Sequence, residues 1–572
     1  MKLLKTIGML SFLMALLMIS CDETASDQNQ ASSEYKYLVL RGGKIATVDE
    51  EFSLHEAVVA QGDKIIYVGS NEGAEAYIGA EAKVIDLDGK LVLPGFIDTQ
   101  GHMHDLGEKL THLDITGAKS FAEIIRIVAE KAKTVEPGEW IVGERWDQSD
   151  WADKRFPYHD RLSEVTPDNP VFLYRIDGHS ALLNRKALEI ANITRETLDP
   201  FGGVIVRKRN GQPTGVVINR AMTTVEKLLP ENTEEQYRQK FLRAVDSSLA
   251  VGLTSWHEPS TNPQKIEFYK ELIDQKLLKM RIYAIIGEQD VLFFEKDMGE
   301  YFTRNQIRNY GAHFLSSRCV KLFLDGSLGS RGAAFFEPYA DDPNNIGLLR
   351  VDPDYVYQVA KAALESGIGV SAHCIGIRAT SLCLDAYERA LAAHPTKDHR
   401  FRIEHAEIVR DEDVARFAQL GVIPSMRPAH CIIDMKFVED RVGPQRAKGA
   451  FAWRKFLDAD CIIACGSDFP VVSNNPLLGI YAAITRQDTD GNPQGGWFGD
   501  QKMTIEEAVR GFTIWAAYAA FQEDLLGSIE VGKLADLVVL DKNILEIEPR
   551  ELLSTNTLYT IVGGQIVYEK NN

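Results

Sequence analysis

After residue 36 the chain opens with short apolar runs broken by glycine: Tyr37-Leu-Val-Leu40, Ala57-Val-Val-Ala60, Lys64-Ile-Ile-Tyr-Val68 and Lys83-Val-Ile-Asp-Leu87. Runs of this length between turn residues predict β-strands. The same texture returns at the far end in Ala535-Asp-Leu-Val-Val-Leu540, Tyr559-Thr-Ile-Val562 and Gly563-Gly-Gln-Ile-Val-Tyr568. Two strand-rich stretches flanking a different middle predict one small β-sandwich domain formed from both chain termini, residues 37–91 and 522–572, with the remainder inserted between them.

In that middle, residues 92–521, apolar strand candidates alternate with helical patterns, the mark of parallel βαβ units. The fold class expected is α/β, a distorted (β/α)8 TIM barrel. Its eight strands are read as Val92–Asp98, Val171–Ile176, Leu253–His257, Val320–Leu324, Ile368–His373, Phe401–His405, Val422–Met426 and Ile462–Asp468. The stretches near 107–169 and 185–238 are longer than an ordinary crossover, so both are expected to carry inserted structure close to the functional face.

A barrel gathers the carboxyl ends of its strands on one face. Strand one ends in Gln100, His102 and His104, strand four in Lys321, strand five in His373, strand six in His405 and strand eight in Asp468. Imidazoles and a carboxylate suit a divalent ion such as zinc, nickel, iron or manganese. A lysine among them fits once its amine has reacted with carbon dioxide, because the carbamate is an anionic oxygen donor able to bridge two ions. Left unmodified, Lys321 would be an ion-pair partner of Asp325 or Asp468. Asp468 is placed to take a proton from ion-activated water and pass it to a leaving amine. A shared ion with bonds near 2 Å requires the imidazoles of His373 and His405 to lie within about 8 Å of each other.

Other candidates have two readings each. His179 in Asp177-Gly-His-Ser180 and His257 either contact substrate or make structural hydrogen bonds; Trp146 either lines the substrate pocket or belongs to core. Asp325 and Arg331 either bind substrate or brace a glycine-rich loop. His55, His159, His313, His394 and His399 are expected at the surface. The aromatic-rich insertion, with Trp140, Trp146, Trp151, Phe156, Tyr158 and Tyr174, suggests a partly apolar small-molecule substrate.

Composition narrows the partners. A chain of 572 residues with 45% hydrophobic content can bury a large core. Its net charge of −19 and the lack of basic clusters exclude a nucleic-acid partner. Met1-Lys-Leu-Leu-Lys5 followed by apolar Ile7–Ile19 reads as an export signal over residues 1–20, too short to span a bilayer comfortably. It ends in Leu17-Met-Ile-Ser-Cys21, which resembles a bacterial lipoprotein cleavage site with Cys21 lipidated, followed by a flexible tether over 21–36. The expectation is an exported lipoprotein of the cell envelope that meets the membrane only through its N-terminal lipid anchor. The remaining six cysteines sit in apolar runs without Cys-x-x-Cys pairs and read as buried thiols. Homo-oligomer formation is compatible with the sequence and not specified by it.

Seven blocks in order carry a resemblance: Leu93-Pro-Gly-Phe-Ile-Asp98, Trp146-Asp-Gln148, Lys321-Leu-Phe-Leu-Asp-Gly-Ser-Leu-Gly-Ser-Arg331, His373-Cys-Ile-Gly376, Arg402-Ile-Glu-His-Ala406, Gly466-Ser-Asp-Phe-Pro470 and Gly527-Ser-Ile-Glu-Val-Gly-Lys-Leu-Ala-Asp-Leu537. The chain resembles the amidohydrolase superfamily, within it the YtcJ-like branch of amidohydrolase family 3 that includes N-substituted formamide deformylases. The resemblance implies a metal-dependent amidohydrolase, a hydrolase of non-peptide carbon–nitrogen bonds with one or two zinc ions and a carbamylated Lys321. It implies His102, Lys321, His373, His405 and Asp468 as ligands. Cyclic amide opening, deamination, or an impaired surface binding protein are the alternatives. Two positions depart from the pattern. Gln100 stands where the first strand-one histidine belongs, and Ile377 replaces an acidic residue. Either His104 is recruited by a shifted strand end, or the site works with Gln100 as a weak ligand or none.

Overall fold

The computed structural model describes residues 35–148, 151–175, 180–287 and 298–570. The export signal, Cys21, nearly all of the tether and His179 lie outside the described residues. No described helix is long and apolar enough to cross a membrane.

Eight short parallel strands form the central barrel: β1 (Phe96–Asp98), β2 (Leu253–Thr261), β3 (Arg281–Ile286), β4 (Cys319–Phe323), β5 (Gly369–Cys374), β6 (Arg402–His405), β7 (Ile423–Met426) and β8 (Ala464–Cys465). The ring is completed between β8 and β1 by a hydrogen bond from Thr99 N to Cys465 O (3.2 Å) and a parallel bridge between Gly101 and Phe469. The local sequence explains the alternation. Helix Pro353–Ser366 begins with proline in its first turn and ends at Gly367 (φ 66°), and helix Asp411–Leu420 ends at Gly421 (φ 67°). Left-handed glycines of this kind stop a helix and release the chain into β5 and β7 respectively. The strands β4 to β7 are almost wholly buried on both faces, as a covered parallel sheet requires.

Two of the expected barrel strands are corrected. Val171–Arg175 pairs with Ile141–Trp146 and Ser180–Leu183 in a separate six-stranded sheet, whose other strands are Leu113–Asp114, Gly203–Arg207 and Pro213–Asn219. Barrel strand three is instead Arg281–Ile286, and Leu253–Thr261 is strand two. Both apolar runs are buried, and apolar periodicity cannot tell a strand of one sheet from a strand of another. The extra structure expected between strands is this six-stranded sheet, inserted between β1 and β2.

The chain ends meet in one continuously hydrogen-bonded eight-stranded sheet. It contains Tyr37–Ala46, Leu54–Gln61, Lys64–Gly69, Ala82–Asp86 and Leu91–Pro94 from the front, with Leu537–Leu540, Thr557–Val562 and Gln565–Glu569 from the back. Leu91–Pro94 belongs here, not to the barrel, so the run read as one strand from Val92 to Asp98 is divided at Gly95. Gly95 has no side chain because a Cβ there would stand 2.2 Å from Thr254 Oγ1. A bidentate pair between buried Arg281 on β3 and Asp536 (2.7 and 2.8 Å) fastens this sheet to the barrel.

Candidate metal centre

His373 and His405 occupy neighbouring strand ends, since Cys374 of β5 pairs with His405 of β6. Their ring centroids are 4.6 Å apart at an interplanar angle of 61°. This meets the requirement for a shared ion. A carboxylate lies behind each ring: Asp325 Oδ1 is 3.2 Å from His373 Nδ1, and Glu407 Oε1 is 3.4 Å from His405 Nδ1. Neither contact is a formed hydrogen bond, since each Nδ1 is buried without a hydrogen-bond partner among the described residues, but each places a carboxylate where it can orient the ring. The Nε2 of His405 faces Asp468 Oδ2 at 3.9 Å and Gln100 Nε2 at 3.5 Å. Burial, then the facing His373, pushes the His405 pKa down to about 4, so its ring is neutral, the form that binds metal.

Gln100 and Lys321 form the floor of the cluster. Nζ of Lys321 donates to Gln100 Oε1 at 2.8 Å, and Gln100 Nε2 donates to Asp468 Oδ1 at 2.7 Å. Lys321 is 1% exposed, and burial brings its pKa down to about 8. On the open side, His102 Nε2 lies 3.0 Å from the same Asp468 oxygen. Burial penalises charge on both members of that pair, yet their mutual hydrogen bond and attraction prevail: His102 is raised and the Asp468 carboxyl is held well below the usual range. His405 (φ 73°) and Asp468 (φ 60°) both adopt left-handed backbone. Such conformations cost roughly 1–3 kcal/mol each in a non-glycine residue and concentrate at functional sites. Gly101 permits the close approach of the Phe469 ring, because a Cβ there would meet that ring at 2.2 Å.

Several candidates lie elsewhere. His104 is excluded from the centre, because β1 ends at Asp98 and helix Met103–Thr111 has begun, so residues 102 and 104 no longer share a strand face. Its ring stacks on Tyr237 at 4.3 Å and its Nε2 contacts the Tyr237 hydroxyl at 2.9 Å. Trp146 is core of the inserted sheet, 1% exposed, with Nε1 donating to Leu173 O at 2.8 Å. Trp151 packs beside it at 6.1 Å, so these two indoles of the aromatic-rich insertion belong to that core. His257 is fully buried with its Nδ1 2.9 Å from Arg402 Nη1, and its Nε2 has no hydrogen-bond partner among the described residues. Asp325 accepts from the backbone of Ala334, Ile375 and Gly376 and stands behind His373, and Arg331 pairs with Asp341. Asp325 thus ties the loops after β4 and β5 together, and Arg331 is held within the loop after β4. Ile377 is buried at the start of helix Ile377–Ala393. His159 and His399, expected at the surface, are buried and hydrogen-bonded to Ser163 and Leu420.

Other functional neighbours were not singled out from the sequence. His430 follows β7 on helix Pro428–Asp434, and its ring is 6.0 Å from His405. Together with Glu407 these two histidines place ligand atoms within 4.8 Å of one another, and Nε2 of His430 is buried without a hydrogen-bond partner among the described residues. The signal available was position, four residues beyond a barrel strand end. Glu404 lies beneath, held by Arg402 (2.7 Å), Arg427 and Ser371 (2.6 Å), all fully buried. Asp98 ties β1 to the end of β8 by accepting from Ser467 N (3.0 Å) and Oγ (2.6 Å); burial raises its pKa to about 6.

Facing imidazoles, a carboxylate and ring nitrogens without a hydrogen-bond partner among the described residues, converging on one mouth of a parallel eight-stranded barrel, fit a divalent cation and define the class of metal-dependent barrel hydrolases. The chain belongs to the amidohydrolase family, whose model (Amidohydro_3) matches residues 83–568. It is 30% identical to YtcJ of Bacillus subtilis (strain 168) over 542 residues, 93% of this chain and 99% of that protein. It is 27% identical to the N-substituted formamide deformylase of Arthrobacter pascens over 549 residues, 94% and 99% of the two chains. Among solved structures, a metal-dependent hydrolase of Pyrococcus furiosus superposes with a TM-score of 0.72 at 30% identity, covering 89% of this chain and 100% of that one.

Proposed function

We propose that this metal-dependent amidohydrolase cleaves a non-peptide carbon–nitrogen bond in a small amide or formamide, releasing an amine. The observation that carries the reading is the facing pair His373 and His405, each backed by a carboxylate, with Asp468 across from them. His373, His405 and Asp468 would hold the ion, with His102 beside Asp468 at the open edge. When bound, a divalent ion polarises the scissile carbonyl and acidifies water. Zinc suits this nitrogen-and-carboxylate donor set.

The chain's own groups supply the rest. Asp468 takes a proton from the attacking water, and His102, hydrogen-bonded to it, steadies that carboxylate and can return a proton to the departing nitrogen. Asp325 and Glu407 keep both rings turned toward the centre. The balance is one water consumed, one carboxylic acid and one amine released. The N-terminal signal pattern ending at Cys21 extends the proposal to a lipid-anchored enzyme at the cell envelope.

The test is a panel of N-substituted formamides, linear amides, cyclic amides and amino-heterocycles, scored separately for free amine, ring-opened acid and ammonia. Free amine from the first two classes, abolished by chelation and restored by zinc, is the expected result. Ring-opened acid alone would make it a cyclic amidase, ammonia alone a deaminase, and no turnover with zinc bound would favour a binding protein.

A further inference from the structure

We infer that Gln100 makes this a one-ion centre in which Lys321 remains an unmodified amine. The inference rests on the metal-dependent reading above and concerns how many ions the centre takes. The orientation of the Gln100 carboxamide is determined by its neighbours, because an ammonium or amine can donate to Oε1 and a carboxylate can only accept from Nε2. Oε1 is therefore committed to Lys321 Nζ at 2.8 Å, and Nε2 to Asp468 Oδ1 at 2.7 Å. What residue 100 presents to the centre is an NH2 group, 3.5 Å from His405 Nε2. Its hydrogens carry partial positive charge and repel a cation where an imidazole would offer a lone pair.

A second ion would also need an anionic bridge on Lys321. Carbamylation joins the neutral amine to carbon dioxide, forming an N–C bond and releasing one proton. The new anion would stand beside the carboxylates of Asp468 and Glu404 at a position 1% exposed, where the nearby guanidiniums of Arg402 and Arg427 are already paired with Glu404. Without a second cation to neutralise it, a charge so deeply buried is strongly disfavoured. Gln100 instead links Lys321 to Asp468 through two neutral-to-charged hydrogen bonds, and this satisfies the amine without modification. Donors remain in His373, His405 and Asp468, with His102 adjacent and His430 and Glu407 beside His405, and three or four of them are what one catalytic ion with an open position requires.

The full chain, prepared with zinc and 13C-labelled bicarbonate, should hold about one zinc per chain by elemental mass spectrometry and show no carbamate resonance in its 13C spectrum. Two ions, or a carbamate signal, would overturn the inference and leave the hydrolase reading intact. No bound zinc would overturn the metal-dependent reading itself. Gln100→His should raise the content to about two ions and bring in the carbamate signal; an unchanged content would show that Gln100 is not the determinant. Should that variant not fold, Lys321→Met decides the matter. It should retain about one zinc, because the lysine is not a ligand, whereas loss of zinc would overturn the inference.

Discussion

The Oδ1 atom of Asp325 stands 3.2 Å from Nδ1 of His373, while the same carboxylate accepts backbone hydrogen bonds from Ala334, Ile375 and Gly376. One side chain thus joins the β4 loop, the β5 loop and the orientation of an imidazole. Asp325→Asn should weaken zinc binding roughly 10- to 100-fold, the usual effect of losing a carboxylate behind a metal-binding histidine. Its NH2 group would also face backbone donors, at a stability cost of about 1–3 kcal/mol for each buried donor left unpaired. Zinc titration and thermal unfolding measure the two effects separately. Unchanged zinc affinity would remove Asp325 from the centre.

Asp468→Asn replaces the proton-accepting carboxylate with a group of nearly the same shape. Turnover of whichever amide the panel identifies should fall by roughly 10²- to 10⁴-fold, the range for loss of a positioned acid–base group, with the fold intact by circular dichroism. A loss of only a few-fold would assign the proton transfers to another residue.

Trp146→Ala tests whether the indole is core or pocket wall. Its full burial and its bond to Leu173 O predict destabilisation of the inserted sheet by about 3–5 kcal/mol, with KM unchanged in the protein that remains folded. A raised KM at an unchanged melting temperature would return Trp146 to the substrate pocket.

His104 provides a pH test remote from Asp468. Burial among the rings of Tyr237, Phe241 and Phe268 lowers its pKa to about 4 from an ordinary 6.5. Between those values the unfolded chain binds a proton that the folded chain does not, so this contribution to stability is full above 6.5 and declines as pH falls toward 4. His104→Phe keeps an aromatic ring and abolishes the titration. The stability difference between the parent and this variant should shift in the variant's favour as pH drops through that window. A difference that does not vary with pH would mean that His104 is protonated in the folded chain.

Much of the barrel was legible because its strands are fully buried apolar runs that end in chemically distinctive residues. His373, His405 and Asp468 stand at or just beyond the ends of such runs and Lys321 inside one, and all four are brought together. Strand two was misassigned because Val171–Arg175 is as apolar as a barrel strand, and Arg281–Ile286 was overlooked because its charged first residue hides a wholly buried segment. Arg281 is buried there only because Asp536, 255 positions away, pairs with it. His430 stayed unnoticed since its helix lies beyond the strand and belongs to no block of the resemblance.

By itself the sequence determined the kind of barrel, the order of its strand-end donors and the departure at Gln100, because these depend on local periodicity and residue type. Only the tertiary structure decided what those residues do. It turned His104 into an aromatic packing group, Trp146 into core and Asp325 into a brace for His373. It also showed Gln100 linking Lys321 to Asp468. Such roles depend on which atoms from distant segments come within hydrogen-bonding distance, and a hydrogen bond is sensitive to a few tenths of an ångström that no linear pattern encodes.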